Sequence, residues 1–501
     1  MSLRKNIFSN YISQIYVTLI GILMLPVYIK YMGAEAYGLV GFFSMLQAWF
    51  NILDFGLTPT ISRETARSRA GSIEALNFRR WFRALSIIFV LIALIGGVGL
   101  LLLSSVIAKG WLNAEILPPS EIKVAVQIMS VSVALRWMCG LYRGVVTGSE
   151  RLVWLGGFNA FVATLRFIGV MLVMRYFGFT PIVFFSYQVL ISAIEIIGLW
   201  FKSNRLLPSL MSLSEPIGWS FAPIRPLLKF SLTIAFTASV WVLVTQTDKL
   251  VLSNILPLAE YGYFTLAVLV AGGIMVIGGP VSNAIMPRMA KLEAEGNRKQ
   301  VILVYRQSTQ LVTILAGSVA ATMAFCAEPL LWAWTGNSVL ASKTAPILSL
   351  YSIGNGILAV SAFPYYLQYA RGDLRLHFIG HLLLLFALVP TIILSAAYYG
   401  AIGAGYAWIS VNLLYLLIWV AIVHKKLEPG LHWSWFFNDV LIIVIPVALL
   451  GAVTLIVELN IVSRFWNLAY VIIIGGSLMA LATIMSSEGR NFISRFRTKG
   501  I

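Results

Sequence analysis

The sequence predicts an all-α polytopic membrane protein of about fourteen transmembrane helices, arranged as two six-helix lobes in parallel repeat plus two extra C-terminal helices. Three observations predict it: an apolar composition, a lopsided distribution of basic residues, and an internal repeat. Hydrophobic residues make up 59% of the 501, charged ones 11%, and the mean hydropathy is +0.88. A soluble domain carries roughly 25% charged residues. A run of about 20 apolar residues crosses a bilayer as a helix. Such runs lie at 7–29, 37–59, 84–106, 124–146, 152–174, 181–201, 230–257, 263–285, 303–325, 345–367, 378–398, 402–423, 439–458 and 466–486. Arg4 and Lys5 ahead of Ile7 resemble the start of a signal peptide. The run that follows is too long for one and ends in no small-residue cleavage site, so it reads as an uncleaved first span.

A net charge of +17 raises the question of nucleic acid, and its distribution argues against that. With the N-terminus taken as cytoplasmic, and with Arg143 and Arg306 near the inner ends of their runs counted with the adjoining inner segments, 27 of the 36 Lys and Arg residues are inner, six outer and three (Arg136, Arg166 and Lys249) within spans. This is the positive-inside pattern, which places both termini in the cytoplasm. The basic excess is thus a topology signal first and an attraction to anionic lipid second. Cys139 and Cys326 sit at spans of different lobes, so no disulfide framework is implied.

The repeat has an offset near 225. "GAEAYG" (33–38) is matched by "LAEYG" (258–262), Arg63 by Arg288, "GSER" (148–151) by "GDLR" (372–375), and Gly178 by Gly400. Six spans are an even number, so the second copy enters with the orientation of the first, and substrate is expected at the lobe interface near mid-membrane. The organisation expected is 1–201 for the first lobe, 202–229 for a Pro-rich basic cytoplasmic linker, 230–424 for the second lobe, and 425–501 for the last two spans and a cytoplasmic tail. All loops are short. No segment offers a catalytic domain, nucleophile–base pair or metal constellation, so an enzyme is not expected.

A charge at the centre of a membrane helix costs about 2.5–3.5 kcal/mol on insertion scales and normally faces a cavity or partner. Arg136 and Arg166 both fall near the middle of their runs. Arg136, Gly140 and Arg143 share one helical face by their spacing, as do Asn159, Ala163 and Arg166. The repeat mates of Arg136 and Arg166 are apolar, which assigns the cationic site to the first lobe. Guanidinium groups fit phosphate oxygens bidentately, so these residues form a candidate station for a pyrophosphate headgroup. The competing reading is internal pairing with Glu195 in the sixth run.

Asp248 and Lys249 stand alone in the seventh run, which spans about 43 Å as a helix. Consecutive helix residues point about 100° apart. Functionally, Lys249 would touch an anionic substrate while Asp248 binds a proton or cation or orients the lysine; structurally, the two would form a salt bridge that locks the lobes. "DFG" at 54–56 resembles a kinase motif but has no phosphate loop beside it. His377 and His381 lack a third metal ligand in sequence, and Glu328 and Glu458 read as interfacial. Pro26, Pro59, Pro280, Pro287, Pro364 and Pro390 mark bending points in or beside spans.

"LPVYIKYMGAEAYGLVGF", "LDFGLTPTISRETAR" and "YRGVVTGSER" in the first half resemble the Wzx-type polysaccharide flippases, as do "TDKLVLSN", "AEPLLWAW" and "YYGAIGAGYAW" in the second. That family shares a superfamily with MATE drug antiporters and lipid II flippases of the MurJ type. The resemblance implies two lobes around a central cavity, alternating access, and a cytoplasmic (inner) membrane location. The implied cargo is an undecaprenyl-pyrophosphate-linked oligosaccharide for O-antigen, capsule or exopolysaccharide. Implied partners are membrane lipids, a polysaccharide polymerase and a chain-length regulator; no cofactor is implied beyond a proton or sodium coupling ion. The charged residues implicated are Arg136, Arg166, Asp248 and Lys249, with Asp54 in the second-span signature. Two alternatives stand beside it. A MATE-like cation-coupled drug antiporter typically carries an acid in span 1, which is missing from "IFSNYISQIYVTLIGILMLPVYI". A lipid II flippase carries an arginine cluster in the first two spans, absent from the apolar parts here.

The topology is checked by fusing a reporter that fluoresces only in the cytoplasm to the C-terminus and to the 69–75 loop. Both fusions are expected to be bright, and a fusion at 113–118 dark.

Overall fold

A computed structural model describes residues 3–209, 215–219, 225–456 and 463–499. Its named elements are helices, and the one β-type contact among the described residues is a bridge between Asn113 and Pro257. Among the described residues, twelve stretches are long and apolar enough to cross a membrane, where fourteen runs are expected from the sequence. Two of the expected runs, 378–398 and 402–423, fall within one 53-residue stretch, Arg375–Leu427. At 1.5 Å per residue that is about 80 Å, more than twice a hydrocarbon core of about 30 Å. The chain leaves helical geometry there at Gly400, with φ 56° and ψ −137°. A side chain is strained at that φ, so glycine lets one helix follow the other without a loop. Its repeat mate Gly178 also has a positive φ, 101°.

The chain divides into two compact units, residues 1–262 and 263–501. The first holds α1 (Leu3–Met32), α2 (Ala34–Phe50), α3 (Leu57–Arg69), α4 (Ala75–Val106), α5 (Pro119–Gly148), α6 (Leu152–Thr164), α7 (Val170–Phe177), α8 (Pro181–Asn204) and α9 (Arg225–Ile255). Start signals are local: Pro119 and Pro181 stand at first helical positions, and the Thr180 hydroxyl accepts from the Val183 N–H at 3.3 Å. Leu91, Leu94, Ile95, Val98, Leu102 and Val106 form an exposed apolar stripe along α4, while Leu85, Phe89 and Ala93 are buried. A stripe of that kind suits lipid contact rather than water.

The run expected at 37–59 is not one helix. It breaks at 51–56, where Phe55 and Gly56 are both left-handed, and resumes as α3. α3 then packs against α5 with little between them. Gly140, Gly144 and Gly148 lie one turn apart on α5, and a Cβ added at Gly144 would stand 2.9 Å from the Thr58 carbonyl. At Gly148 it would meet Thr65 Cβ at 2.7 Å. Small residues at this spacing let membrane helices approach closely, which is how they gain dispersion energy without a hydrophobic drive.

The segment after α4 is fastened by Glu35. Its buried carboxylate accepts the N–H groups of Glu115 at 2.7 Å, Ile116 at 3.0 Å and Leu117 at 2.8 Å. The same segment holds the end of α9: the Leu258 N–H donates to the Asn113 carbonyl at 2.7 Å and Trp111 Nε1 donates to Ser253 Oγ at 2.9 Å. Of the expected linker 202–229, residues 210–214 and 220–224 lie outside the described residues. Within its described parts, Arg79 donates to the Pro208 carbonyl at 2.8 Å and Arg80 to the Ile217 carbonyl at 3.2 Å.

The second unit contains α10 (Leu258–Ala294, from Tyr263 on), α11 (Arg298–Phe325), α12 (Ala327–Thr335), α13 (Ser338–Ser361), α14 (Phe363–Arg371), α15 (Arg375–Leu414), α16 (Val420–Leu427), α17 (Leu431–Trp435), α18 (Ile442–Val453), α19 (Arg464–Met485) and α20 (Ser487–Lys499). Tyr305, Phe363, Leu367, Val420 and Trp435 form its core. The two spans outside the repeat are part of this unit. Ile443 and Val447 of α18 and Leu478 and Ala482 of α19 cluster with Ile314 of α11. Glu458 lies outside the described residues.

Gly144→Val forces a branched side chain into the α3–α5 contact and is expected to cost about 1–3 kcal/mol, read as a lower melting temperature in detergent. Gly157→Ala, which has nothing within 4 Å of the added Cβ, is expected to leave it unchanged.

Candidate functional site

Four of the singled-out residues meet in the first unit. Glu195 of α8 extends one carboxylate oxygen to Arg143 of α5 and the other to Arg166, the latter at 2.5 Å. Arg143 also donates to Asn159 Oδ1 at 2.9 Å. The Glu195 side chain is 4% exposed, those of Arg166 and Arg143 12% and 35%. The pairing expected for one arginine therefore engages two. Arg136 makes no hydrogen bond or ion pair among the described residues, although it lies within electrostatic reach of Glu195, Arg166 and Arg143. Arg166 Nε is buried and has no partner either. Three guanidinium groups thus share one carboxylate, and the cluster keeps a charge of +2.

The backbone around Arg166 is unusual. Helix α6 runs into a π-turn, Leu165–Gly169, before α7. Such turns widen the helix and leave carbonyls in need of donors. Here three consecutive carbonyls find them: Tyr187 OH donates to Leu165 at 3.0 Å, Gln188 Nε2 to Arg166 at 3.4 Å, and Tyr28 OH to Phe167 at 2.7 Å. Side chains from α8 and α1 therefore fix the segment that carries Arg166. A pinned π-turn presents its guanidinium at little further entropic cost.

Gly140, which shares the Arg136–Arg143 spacing, does not leave space for a ligand. Its face meets Thr58 Oγ1, 2.7 Å from an added Cβ. Asp54 pairs with no cation among the described residues. Its carboxylate takes the Thr58 hydroxyl at 2.6 Å and the Thr58 N–H at 3.2 Å, capping the start of α3 beyond the left-handed turn. The "DFG" tripeptide is thus a helix restart.

Asp248 and Lys249 are close to a mutual pair only at the limit, 3.9 Å. The Lys249 ammonium turns back along its own helix to the Thr245 carbonyl at 2.8 Å, while Asp248 Oδ1 accepts the Lys249 N–H at 2.7 Å. Asp248 is 2% exposed. This dipeptide is separate in contacts from the Glu195 cluster. The rings of His377 and His381 lie 4.0 Å apart and tilted, with the Tyr365 ring 4.5 Å from His377, and no group of three metal-binding side chains forms among the described residues.

The sequence reading missed a second buried network. Arg306 forks onto Asp439 at 2.5 and 3.2 Å, and Gln310 Nε2 donates to the same carboxylate at 2.6 Å. Gln310 Oε1 in turn accepts from Ser486 Oγ at 2.7 Å, and Tyr305 OH stands 2.6 Å from His424 Nε2. Arg306 lies near the start of its run, where a charge reads as part of the preceding loop. The one signal available was an acid, Asp439, opening an otherwise apolar run.

The fold defines a class: a multi-pass all-helical membrane protein with the architecture of the MOP-superfamily transporters. The lipid II flippase MurJ in an inward closed conformation matches with a TM-score of 0.70 and 14% identity, covering 95% of this chain and 97% of that one. An inward-facing MATE-family multidrug transporter matches at 0.66 and 11%, covering 82% and 96%. A MOP-superfamily transporter from Pyrococcus furiosus matches at 0.56 and 12%, covering 85% and 95%. At these identities the likeness is one of fold. No curated protein sequence matches the chain at a significant level. The family is settled by sequence: residues 3–293 match the polysaccharide biosynthesis protein family, and the chain belongs to it.

Asp54→Ala is expected to remove the cap of α3 and cost about 1 kcal/mol, seen as a lower melting temperature in detergent. Asp54→Ser keeps an acceptor and is expected to restore most of it; a coupling role would instead show as lost transport in a serine variant of normal stability.

Proposed function

We propose that the protein is a flippase that carries an undecaprenyl-pyrophosphate-linked oligosaccharide from the cytoplasmic to the periplasmic leaflet by alternating access, for surface polysaccharide synthesis. Its place would be the bacterial inner membrane, beside a polymerase and a chain-length regulator. The family supports a role in polysaccharide biosynthesis, and the fold supports a transporter or flippase. The observation that carries the headgroup is the unmatched positive charge: among the described residues Arg136 has no hydrogen-bond or ion-pair partner, and Arg166 has a buried free Nε. A guanidinium left unpaired in a low-dielectric bundle is costly. An anion that visits the site offsets that cost, and a pyrophosphate diester brings two ionised oxygens to a cluster of charge +2. Arg136, Arg166 and Arg143 with Asn159 are the binding residues in this reading, and Glu195 their internal partner. Lys249 and Asp248 would act later on the path, as a second contact and a coupling or orienting group. An exporter of organic cations is disfavoured by the same charge, which would repel its cargo.

Reconstituted in proteoliposomes, the wild-type protein is expected to move a fluorescent polyprenyl-pyrophosphate oligosaccharide across the bilayer. Arg136→Ala and Arg166→Ala are each expected to lower the initial rate by about one to two orders of magnitude, the worth of a charge-assisted bond. Unchanged rates in both would remove the headgroup site, and movement of organic cations in place of the lipid would replace it with the antiporter.

A further inference from the structure

We infer that Glu195 is a built-in competitor for the headgroup and sets the selectivity of the site for two phosphates over one. The inference rests on the reading of the arginine cluster as a pyrophosphate station. The geometry behind it is the double bridge: one carboxylate occupies an Nη2 donor of Arg143 and an Nη2 donor of Arg166 at once. Asn159 holds Arg143 by its other terminal nitrogen. A carboxylate and a phosphodiester offer a guanidinium the same recognition, two oxygens and one negative charge.

An incoming lipid with a single phosphodiester therefore faces an even exchange. To bind both bridged arginines it must displace Glu195, which is then left buried without a partner. With Glu195 left in place it can meet Arg136 and the free Nε of Arg166, but it offsets only one of the two surplus charges. A pyrophosphate diester carries two such groups. One can take Arg136 and the free Nε of Arg166 while Glu195 stays in place, and the second adds its charge to a cluster that is still positive. The surplus of +2 is thus matched by the two-phosphate headgroup and only half matched by the bulk phospholipids, which carry one phosphodiester each. A flippase in a membrane full of phosphodiesters needs such a threshold, because bare arginines would bind the bulk lipid.

The test uses two lipids with the same polyprenyl tail and sugar, one joined by a pyrophosphate and one by a single phosphate. Binding to the purified full chain in detergent and transbilayer movement in proteoliposomes are both measured. The wild type is expected to prefer the pyrophosphate lipid by at least about tenfold, the lower worth of one charge-assisted bond. Glu195→Gln is expected to narrow that ratio to about threefold or less, through tighter binding of the monophosphate lipid rather than weaker binding of the pyrophosphate one. Glu195→Asp keeps the charge and is expected to keep the preference.

Glu195→Gln leaves Arg143 and Arg166 facing each other and risks misfolding. The double variant Glu195→Gln/Arg143→Gln removes one charge of each sign, so the cluster keeps its surplus but loses its competitor. It is expected to show the same gain for the monophosphate lipid. A preference that survives unchanged in the folded double variant overturns the inference. If at the same time Arg136→Ala and Arg166→Ala abolish pyrophosphate binding, the station stands and only the competitor falls. If those two variants bind normally, the station itself is gone.

Discussion

Glu195 and the two guanidiniums it bridges are the contact on which the arrangement of the first unit's charges depends. In a bilayer-spanning bundle an unpaired ion carries a penalty of several kcal/mol, and a matched pair with good geometry recovers it. One carboxylate tied to both Arg143 and Arg166 ties α5, α8 and the π-turn after α6 at one point. The second unit handles the same problem differently. There Asp439 receives one arginine, Arg306, and an amide, Gln310, so charge is balanced within the unit. The balanced site is a fastening, whereas the first unit's cluster keeps a surplus of +2, on which the proposed anion site rests.

The backbone supports that division. The π-turn at 165–169 would be a weak point in an isolated helix, because its carbonyls lack their usual donors. Tyr187, Gln188 and Tyr28 supply them, so irregular backbone is held rigid where the charge is presented. The neighbouring α3–α5 contact is built on the opposite principle. It uses glycines at every turn and a helix restart capped by Asp54, and it leaves no room for a ligand. Along α5 the glycines at 140, 144 and 148 pack against α3, and Arg136 and Arg143, each about one turn from Gly140, place charge beside that contact.

The fold was largely legible. Apolar runs located the helices because the bilayer fixes their length and forbids most alternatives, and the family followed from motifs spread along the chain. Where the helices differ from the expected runs, the causes are local. The run 37–59 reads as one span because nothing in its hydropathy shows that Phe55 and Gly56 turn left-handed. Runs 378–398 and 402–423 read as two separate helices because a loop was expected where Gly400 alone suffices. Arg306 was overlooked because a charge near the start of a run looks like a loop residue until its acid is seen.

By itself, the sequence determined the apolar helical architecture, the basic bias and which charged residues lie within spans, since these follow from composition and period. Only tertiary structure decided which of those charges are matched. Glu195 could in principle have met any of several arginines, and pairing depends on angles between helices that no spacing rule encodes. The separation of bridged Arg143 and Arg166 from unpartnered Arg136, on which the site's chemistry turns, comes from helix packing across residues up to 59 positions apart in sequence.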